Sequence, residues 1–265
     1  MTSSSQEEPP FEITRSDDVV TVWLNRPEKR NAVTFEMWEG LPRVLDEVAD
    51  HGARVLVIRG RGGHFCAGAD ITGLGRRLAD AGTPGGYREV NALAEEALVA
   101  FGAPTVAVLE GNCIGGGWQI ASACDLRLAT SDLLLGITPA KLGITYPLGA
   151  VARTVSLCGP STTKRLLFTA ELIKARESKE LGLVDYVVDP SEIEGSLDAL
   201  TTELSERSLL TQLATKATVN ALAAECTSAA EALAAYEQIA RDSVDLDEGL
   251  AAFDERRPAR FRWRR

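Results

Sequence analysis

Two glycine-rich turns carry the chemistry this chain could do. The first is His64-Phe65-Cys66-Ala67-Gly68-Ala69-Asp70-Ile71, and the second is Gly111-Asn112-Cys113-Ile114-Gly115-Gly116-Gly117-Trp118-Gln119. Small residues let a ligand approach the main chain closely. The second turn also opens a helix, whose unpaired N–H groups and dipole favour negative charge. Two such donors converging on one point would make an oxyanion hole, which stabilises charge developing on a carbonyl oxygen.

These turns need a frame, and the pattern around them supplies one. Phe11 to Arg15 and Val19 to Leu24 read as two strands of a hairpin across Ser16-Asp17-Asp18. Thr34 reads as the N-cap of a helix over Phe35–Asp50, with Leu41, Val44, Leu45 and Val48 on one face and Pro42 as a source of a kink. Val55 to Ile58 is a continuous apolar run, as expected of a strand buried on both faces, and Gly60 to Gly63 is a loop. Residues 72–86 are glycine-rich and read as a loose connection. A helix over Tyr87 to Phe101 follows, then a strand over Pro104 to Leu109, a helix from near Gly116 to about Ala123, and a strand over Asp125 to Ala129. From Gly149 the pattern is mostly helical, with one more strand at Leu183 to Val188. The expected division is a disordered leader over 1–10, an α/β core over 11–195 and a C-terminal helical region over 196–265.

Composition closes several routes. Thirty-eight acids against 28 bases give a net charge of −10 over 265 residues. That argues against a nucleic-acid partner, since phosphate contacts need an excess of Lys and Arg. No apolar run approaches the ~20 residues of a membrane helix, so no membrane partner is expected. The five cysteines include no C-x-x-C, which fits free thiols in a reducing cytoplasm. With two histidines, a His-rich metal site is not expected. G-x-S-x-G, the G-x-x-x-x-G-K-[ST] phosphate loop and a Rossmann G-x-G-x-x-G are absent from the sequence.

The two turns and their flanks resemble the crotonase family, the enoyl-CoA hydratase/isomerase superfamily. The resemblance rests on LNRPEKRNAVT (Leu24–Thr34), VLVIRGRGGHFCAGADI (Val55–Ile71), PTVAVLEGNCIGGGWQIASACDLRLA (Pro104–Ala129), TPAKLGI (Thr138–Ile144), LLFTAELIKARESKELGLVDYVV (Leu166–Val188) and FDERRPARF (Phe253–Phe261), in that order. It implies an α/β crotonase fold of repeated ββα units around two sheets, with C-terminal helices that build a homotrimer or a dimer of trimers. It implies an acyl-CoA thioester as substrate, with no further cofactor. The amides of Ala69 and Gly116 would form the oxyanion hole for a thioester enolate. Ala67, Gly68, Asp70 and Ile71 would line the adenine pocket. The loop Arg26–Ala32 would lie along the CoA, with Arg30 on a phosphate. Gly115, Pro139, Lys141 and Leu142 complete the binding set that the resemblance implies.

The chain departs from the family where hydration is done. The family's hydratases use two glutamates, and the matching positions here are Gln119 and Ala140. An amide does not take a proton at neutral pH as a carboxylate does, and a methyl group has no proton chemistry. Fast two-glutamate hydration is therefore not expected. Tyr146, following Thr138-Pro139-Ala140-Lys141-Leu142-Gly143-Ile144-Thr145, resembles a tyrosine of methylmalonyl-CoA decarboxylase that touches the substrate carboxylate. Tyr146 and Gln119 thus join Ala69 and Gly116 as candidate catalytic residues. The alternatives are a decarboxylase of a carboxylated acyl-CoA and a catalytically weak acyl-CoA-binding protein. Asp70 and Trp118 read as structural, His64 as an exposed loop residue, His51 as a helix end, and Glu95 and Glu96 as surface salt-bridge residues. The Arg-rich PARFRWRR tail reads as a solvated end or as an electrostatic aid to CoA binding.

Overall fold

A computed structural model describes residues 9–70, 85–223, 245, 248, 251, 252, 255, 257 and 260–263. The leader up to residue 8, most of the glycine-rich 72–86 segment and Ile71 lie outside the described residues. The hairpin strands β1 (Phe11–Ser16) and β2 (Val19–Leu24) pair antiparallel. β3 (Val55–Gly60), β4 (Thr105–Leu109), β6 (Leu126–Thr130) and β9 (Tyr186–Val188) extend the sheet in parallel, in the order β1-β2-β3-β4-β6-β9. A second, three-stranded sheet joins β5 (Asn112–Ile114), β7 (Leu134–Gly136) and β8 (Leu172–Lys174).

The helices cover the large sheet. Among the described residues they are α1 (Phe35–Asp50), α2 (Tyr87–Val99), α3 (Gly116–Ala123), α4 (Leu148–Thr169, broken at Gly159), α5 (Ala175–Glu180), α6 (Ile193–Glu206) and α7 (Leu209–Ala223). The apolar run of β3 is explained by its two buried faces. Val55 and Val57 pack with Ile193 and Leu197 of α6, while Leu56 and Ile58 join the main core with Trp38, Leu98 and Trp118. Thr34 caps α1 by accepting from the Met37 N–H at 3.2 Å, and the helix continues through Pro42.

Three sequence expectations need correction. The stretch Gly111 to Gly117 is more than a turn, because β5 lies inside it. The chain beyond Gly149 holds the strand β8 as well as β9. Both added strands are three residues long, too short for alternation to register. Residues 260–263 of the tail are also not a free solvated end. The Arg260 N–H donates to Glu248, those of Arg262 and Trp263 donate to Asp245, and Trp263 packs on the core.

Candidate active site

The first turn is built on a backbone that folds back sharply. A Cβ on Gly60 would lie 1.9 Å from the His64 carbonyl oxygen, so only glycine fits where β3 ends. Arg30 and Asn31 both take left-handed conformations, with φ of 47° and 59°. The fully buried Asn31 side chain then ties the loop together. Its Nδ2 donates to Arg61 O at 2.8 Å and His64 O at 2.6 Å, and its Oδ1 accepts from the Arg26 N–H at 2.9 Å. The amides after it are consumed one by one. Ala67 donates to Arg30 O at 2.9 Å, Gly68 to Cys66 Sγ at 3.4 Å and Asp70 to Val33 O at 2.8 Å. Among the described residues the Ala69 N–H has no hydrogen-bond partner.

The second turn is pinned to the first. Cys66 and Cys113 form a bridge through Cys66 N to Asn112 O at 2.8 Å and Ile114 N to Cys66 O at 2.9 Å. Gly115 takes φ 50°, ψ −105° and gives its N–H to Gly136 O at 2.8 Å. Gly116 starts α3, where an N–H has no carbonyl one turn back to bond. Its amide likewise has no partner among the described residues. A Cβ on Gly116 would sit 3.2 Å from the Ala69 nitrogen, and one on Gly117 would sit 2.7 Å from Cys66 O. Glycine is thus what lets the two turns meet, and it leaves two unspent donors side by side at a helix N-terminus. Such a pair can hold an oxygen that gains negative charge.

The polar groups beside this pair differ from what the sequence implies. Gln119 is buried on α3, whereas Ala140 and Lys141 are exposed on the short helical turn Pro139–Lys141, and Leu142 after it is exposed too; Pro139 is buried. Tyr146 donates its hydroxyl to Gly115 O at 2.7 Å and lies against Gln119. Glu95 is not a surface residue. It is 3% exposed on α2 and paired with Arg153 of α4. Asn91, one helical turn before it, accepts from Trp38 Nε1 at 3.2 Å and donates to Glu95 Oε1 at 3.3 Å and Gln119 Oε1 at 2.5 Å in the amide orientation its neighbours require. Burial pushes the Glu95 carboxyl up, partly offset by Arg153. Burial, reinforced by the Glu95 charge, holds the Tyr146 phenol well above its usual value, so it stays protonated.

Comparisons with known proteins give the family and the fold. The family model described as enoyl-CoA hydratase/isomerase matches residues 14–264. The chain belongs to this family. A Thermus thermophilus protein given the provisional name of enoyl-CoA hydratase is 36% identical over 247 residues, 92% of this chain and 97% of that protein. The crotonyl-CoA hydratase of Syntrophomonas wolfei is 30% identical, over 93% of this chain and 95% of its own. A solved structure from Hyphomonas neptunium, provisionally assigned to the enoyl-CoA hydratase/isomerase family, superposes with a TM-score of 0.89 at 31% identity, covering 97% of this chain and 98% of that one. The fold is the crotonase fold.

Within that fold the other sequence-selected residues take these places. Arg26 does not extend freely along the loop. Its Nη1 donates to Ala32 O at 2.7 Å and to Asp70 Oδ2 at 3.0 Å, bracing the first turn. Arg30 is exposed at the loop's tip. Gly68, at φ 115°, faces Ile114 O across the two turns. Trp118 is a fully buried packing residue whose Nε1 donates to Thr154 Oγ1 at 2.9 Å. His51 is exposed at the end of α1, and Glu96 is exposed on α2. His64, expected in an exposed loop, is half-buried, and its Nδ1 accepts from the Asn112 N–H at 3.3 Å. Cys66, Cys113 and Cys124 are buried free thiols; burial raises Cys66 and Cys124 to about 12 and Cys113 well above its usual value, so they are poor nucleophiles. Asn31, Asn91 and Arg153 were not marked by the sequence reading. Only Asn31 left a signal there, as an Asn closing a polar loop, a residue type that tolerates left-handed backbone.

Proposed function

We propose that the protein is an enzyme acting on acyl-CoA thioesters through an enolate, whose oxygen is held by the N–H groups of Ala69 and Gly116. The observation that carries this reading is the pair of unspent amides meeting at the start of α3. Coenzyme A enters as part of the substrate, and no other cofactor belongs to the reading. In this reading the exposed Arg30 meets a CoA phosphate, Arg26, Ala32, Ala67, Gly68 and Asp70 contact the nucleotide part, and Gly115, Pro139, Lys141 and Leu142 complete the substrate-binding set; Ile71, expected with them, lies outside the described residues.

Gln119 and Ala140 argue against rapid hydration. General acid–base catalysis is worth about 10²–10⁴-fold, and neither residue supplies it. Decarboxylation of a carboxylated acyl-CoA is the second reading, favoured by the neutral Gln119 where a base would otherwise stand. Loss of carbon dioxide generates the enolate without abstraction of a proton. In that reading Gln119 orients the substrate. For Tyr146 to touch the carboxylate, its bond to Gly115 O would have to break.

Mass-resolved turnover of crotonyl-, 3-enoyl-, methylmalonyl- and ethylmalonyl-CoA tests both. The expected result is loss of carbon dioxide from a carboxylated acyl-CoA, with crotonyl-CoA hydration slower than that of a two-glutamate hydratase by about 10²-fold or more. A moved double bond, which needs a proton taken and returned, would require a base other than residues 119 and 140. Hydration at ordinary enzyme rates contradicts the reading of residues 119 and 140. Binding without any turnover selects a catalytically weak acyl-CoA-binding protein instead.

A homotrimer or dimer of trimers is part of the same proposal. Leu148 and Phe168, at either end of α4, are 85% and 75% exposed in the single chain, a cost that a partner copy would remove. A light-scattering mass of one chain would contradict it. The buried free thiols support a cytoplasmic setting. Among the described residues no helix is long and apolar enough to cross a membrane.

A further inference from the structure

The Gly115–Gly116 peptide presents the Gly116 N–H on one edge and the Gly115 carbonyl on the other. A trans peptide is planar, so its C=O and N–H point in opposite directions. Whatever fixes the carbonyl therefore aims the amide. This unit has glycine on both sides, which makes it unusually free to rotate. Gly115 holds φ 50°, ψ −105°, a conformation that a residue with a side chain rarely adopts. Two donors hold it there. The Gln119 N–H reaches Gly115 O at 3.1 Å as the first bond of α3, and the Tyr146 hydroxyl reaches the same oxygen at 2.7 Å.

We propose that Tyr146 is a positioning residue for enolate stabilisation, holding the Gly115 carbonyl so that the Gly116 N–H is aimed at, and polarised toward, the substrate oxygen. The inference rests on the oxyanion reading given under Proposed function. Polarisation follows because a hydrogen bond to a peptide carbonyl strengthens the same peptide's N–H as a donor. Tyr146 is itself held in place. Its hydroxyl lies against Gln119, Gln119 accepts from Asn91, and Asn91 donates to Glu95, which pairs with Arg153. This line of groups gives a reason for keeping a buried carboxylate paired with a half-buried guanidinium, because it fixes the ring from three helices. It also explains a tyrosine beside an amide in a site without a carboxylate pair. The phenol proton is spent on the main chain, and the substrate meets the effect through Gly116.

The test uses acetoacetyl-CoA, whose enolate absorbs where the keto form does not. Binding to the wild-type protein is expected to lower the pH at which the enolate forms. Tyr146→Phe removes only the hydroxyl. It is expected to raise the enolisation pKa of bound acetoacetyl-CoA by about one pH unit, a tenfold change. Affinity for butyryl-CoA, which forms no enolate, should change less than about twofold, since the hydroxyl does not hold the ground-state ligand. A purely structural role would not produce that split. Should the Phe variant fail to fold, 3-fluorotyrosine at position 146 keeps the shape and makes the phenol a stronger donor. Its expected shift is in the opposite direction, toward easier enolisation. An unchanged enolisation pKa in the folded Phe variant, or in the fluorinated protein, overturns this inference alone. Wild-type protein that binds acetoacetyl-CoA without lowering its enolisation pKa overturns the oxyanion reading and this inference with it.

Discussion

Gly116→Ala is expected to slow turnover of any acyl-CoA substrate about a hundredfold, with a smaller loss of affinity for the CoA thioester. The added methyl would lie 3.2 Å from the Ala69 nitrogen, 3.3 Å from the Gly68 carbonyl carbon and 3.4 Å from Trp38 Cζ2. Those contacts are tight enough that the two turns must part by a few tenths of an ångström. Trp38 and Gly68 are buried, so little slack exists around them. Removing one oxyanion donor costs about 10²–10³ in kcat, and turns that part no longer aim both N–H groups at one oxygen, which puts the expected loss at the low end of that range. In the proposed reading Gly68 is also a nucleotide contact, so the methyl costs some affinity, but less than it costs in turnover, since only the enolate needs both amides aimed at one oxygen. Steady-state kinetics with the best substrate of the panel, beside a direct binding measurement, checks this. A variant with kcat within threefold of wild type would place the enolate oxygen elsewhere.

Asn31→Asp is expected to lower stability by about 3–5 kcal/mol, from two lost hydrogen bonds and two carbonyl oxygens left facing a carboxylate. The substitution is nearly isosteric, so packing is not the cause. Asn31 is fully buried, and its NH₂ group serves both Arg61 O and His64 O. An aspartate has no proton to give to either at neutral pH. The loop it closes carries Arg30 O, which accepts from Ala67 at the start of the first turn. Damage at Asn31 is therefore expected to reach the Ala69 amide as well as the melting temperature. A fall in Tm of roughly 10 °C or more is expected for a chain of this size. Calorimetry of the two proteins reads it directly, and an unchanged Tm would mean that the loop finds other donors.

Much of the frame was legible in the residues because local signals and burial agreed. Thr34 before an amphipathic run marks α1, and the uninterrupted Val55 to Ile58 marks a strand covered on both faces. The two glycine turns stand out because small residues follow a buried strand in each case. The second sheet was hidden, since β5, β7 and β8 are three residues each and leave no alternation. The polar cluster was hidden for a different reason. On α2 the buried positions are Asn91, Ala94, Glu95 and Leu98, a helical stripe in which two members are polar. Read as a pattern, those two break the apolar face and look solvated. Their partners Gln119 and Arg153 lie on other helices, and the Glu95–Arg153 pair spans 58 positions. No short window of sequence contains that information.

Absorbance of acetoacetyl-CoA bound to the wild-type protein and to Gly116→Ala tests the central claim most directly. The account predicts that the wild-type protein draws the ligand into its enolate at a pH where the free ligand is mostly keto. It predicts that the variant binds the ligand with little enolate formed. Equal enolate signals from the two proteins, or none from the wild type at saturation, would contradict a site built on the amides of Ala69 and Gly116.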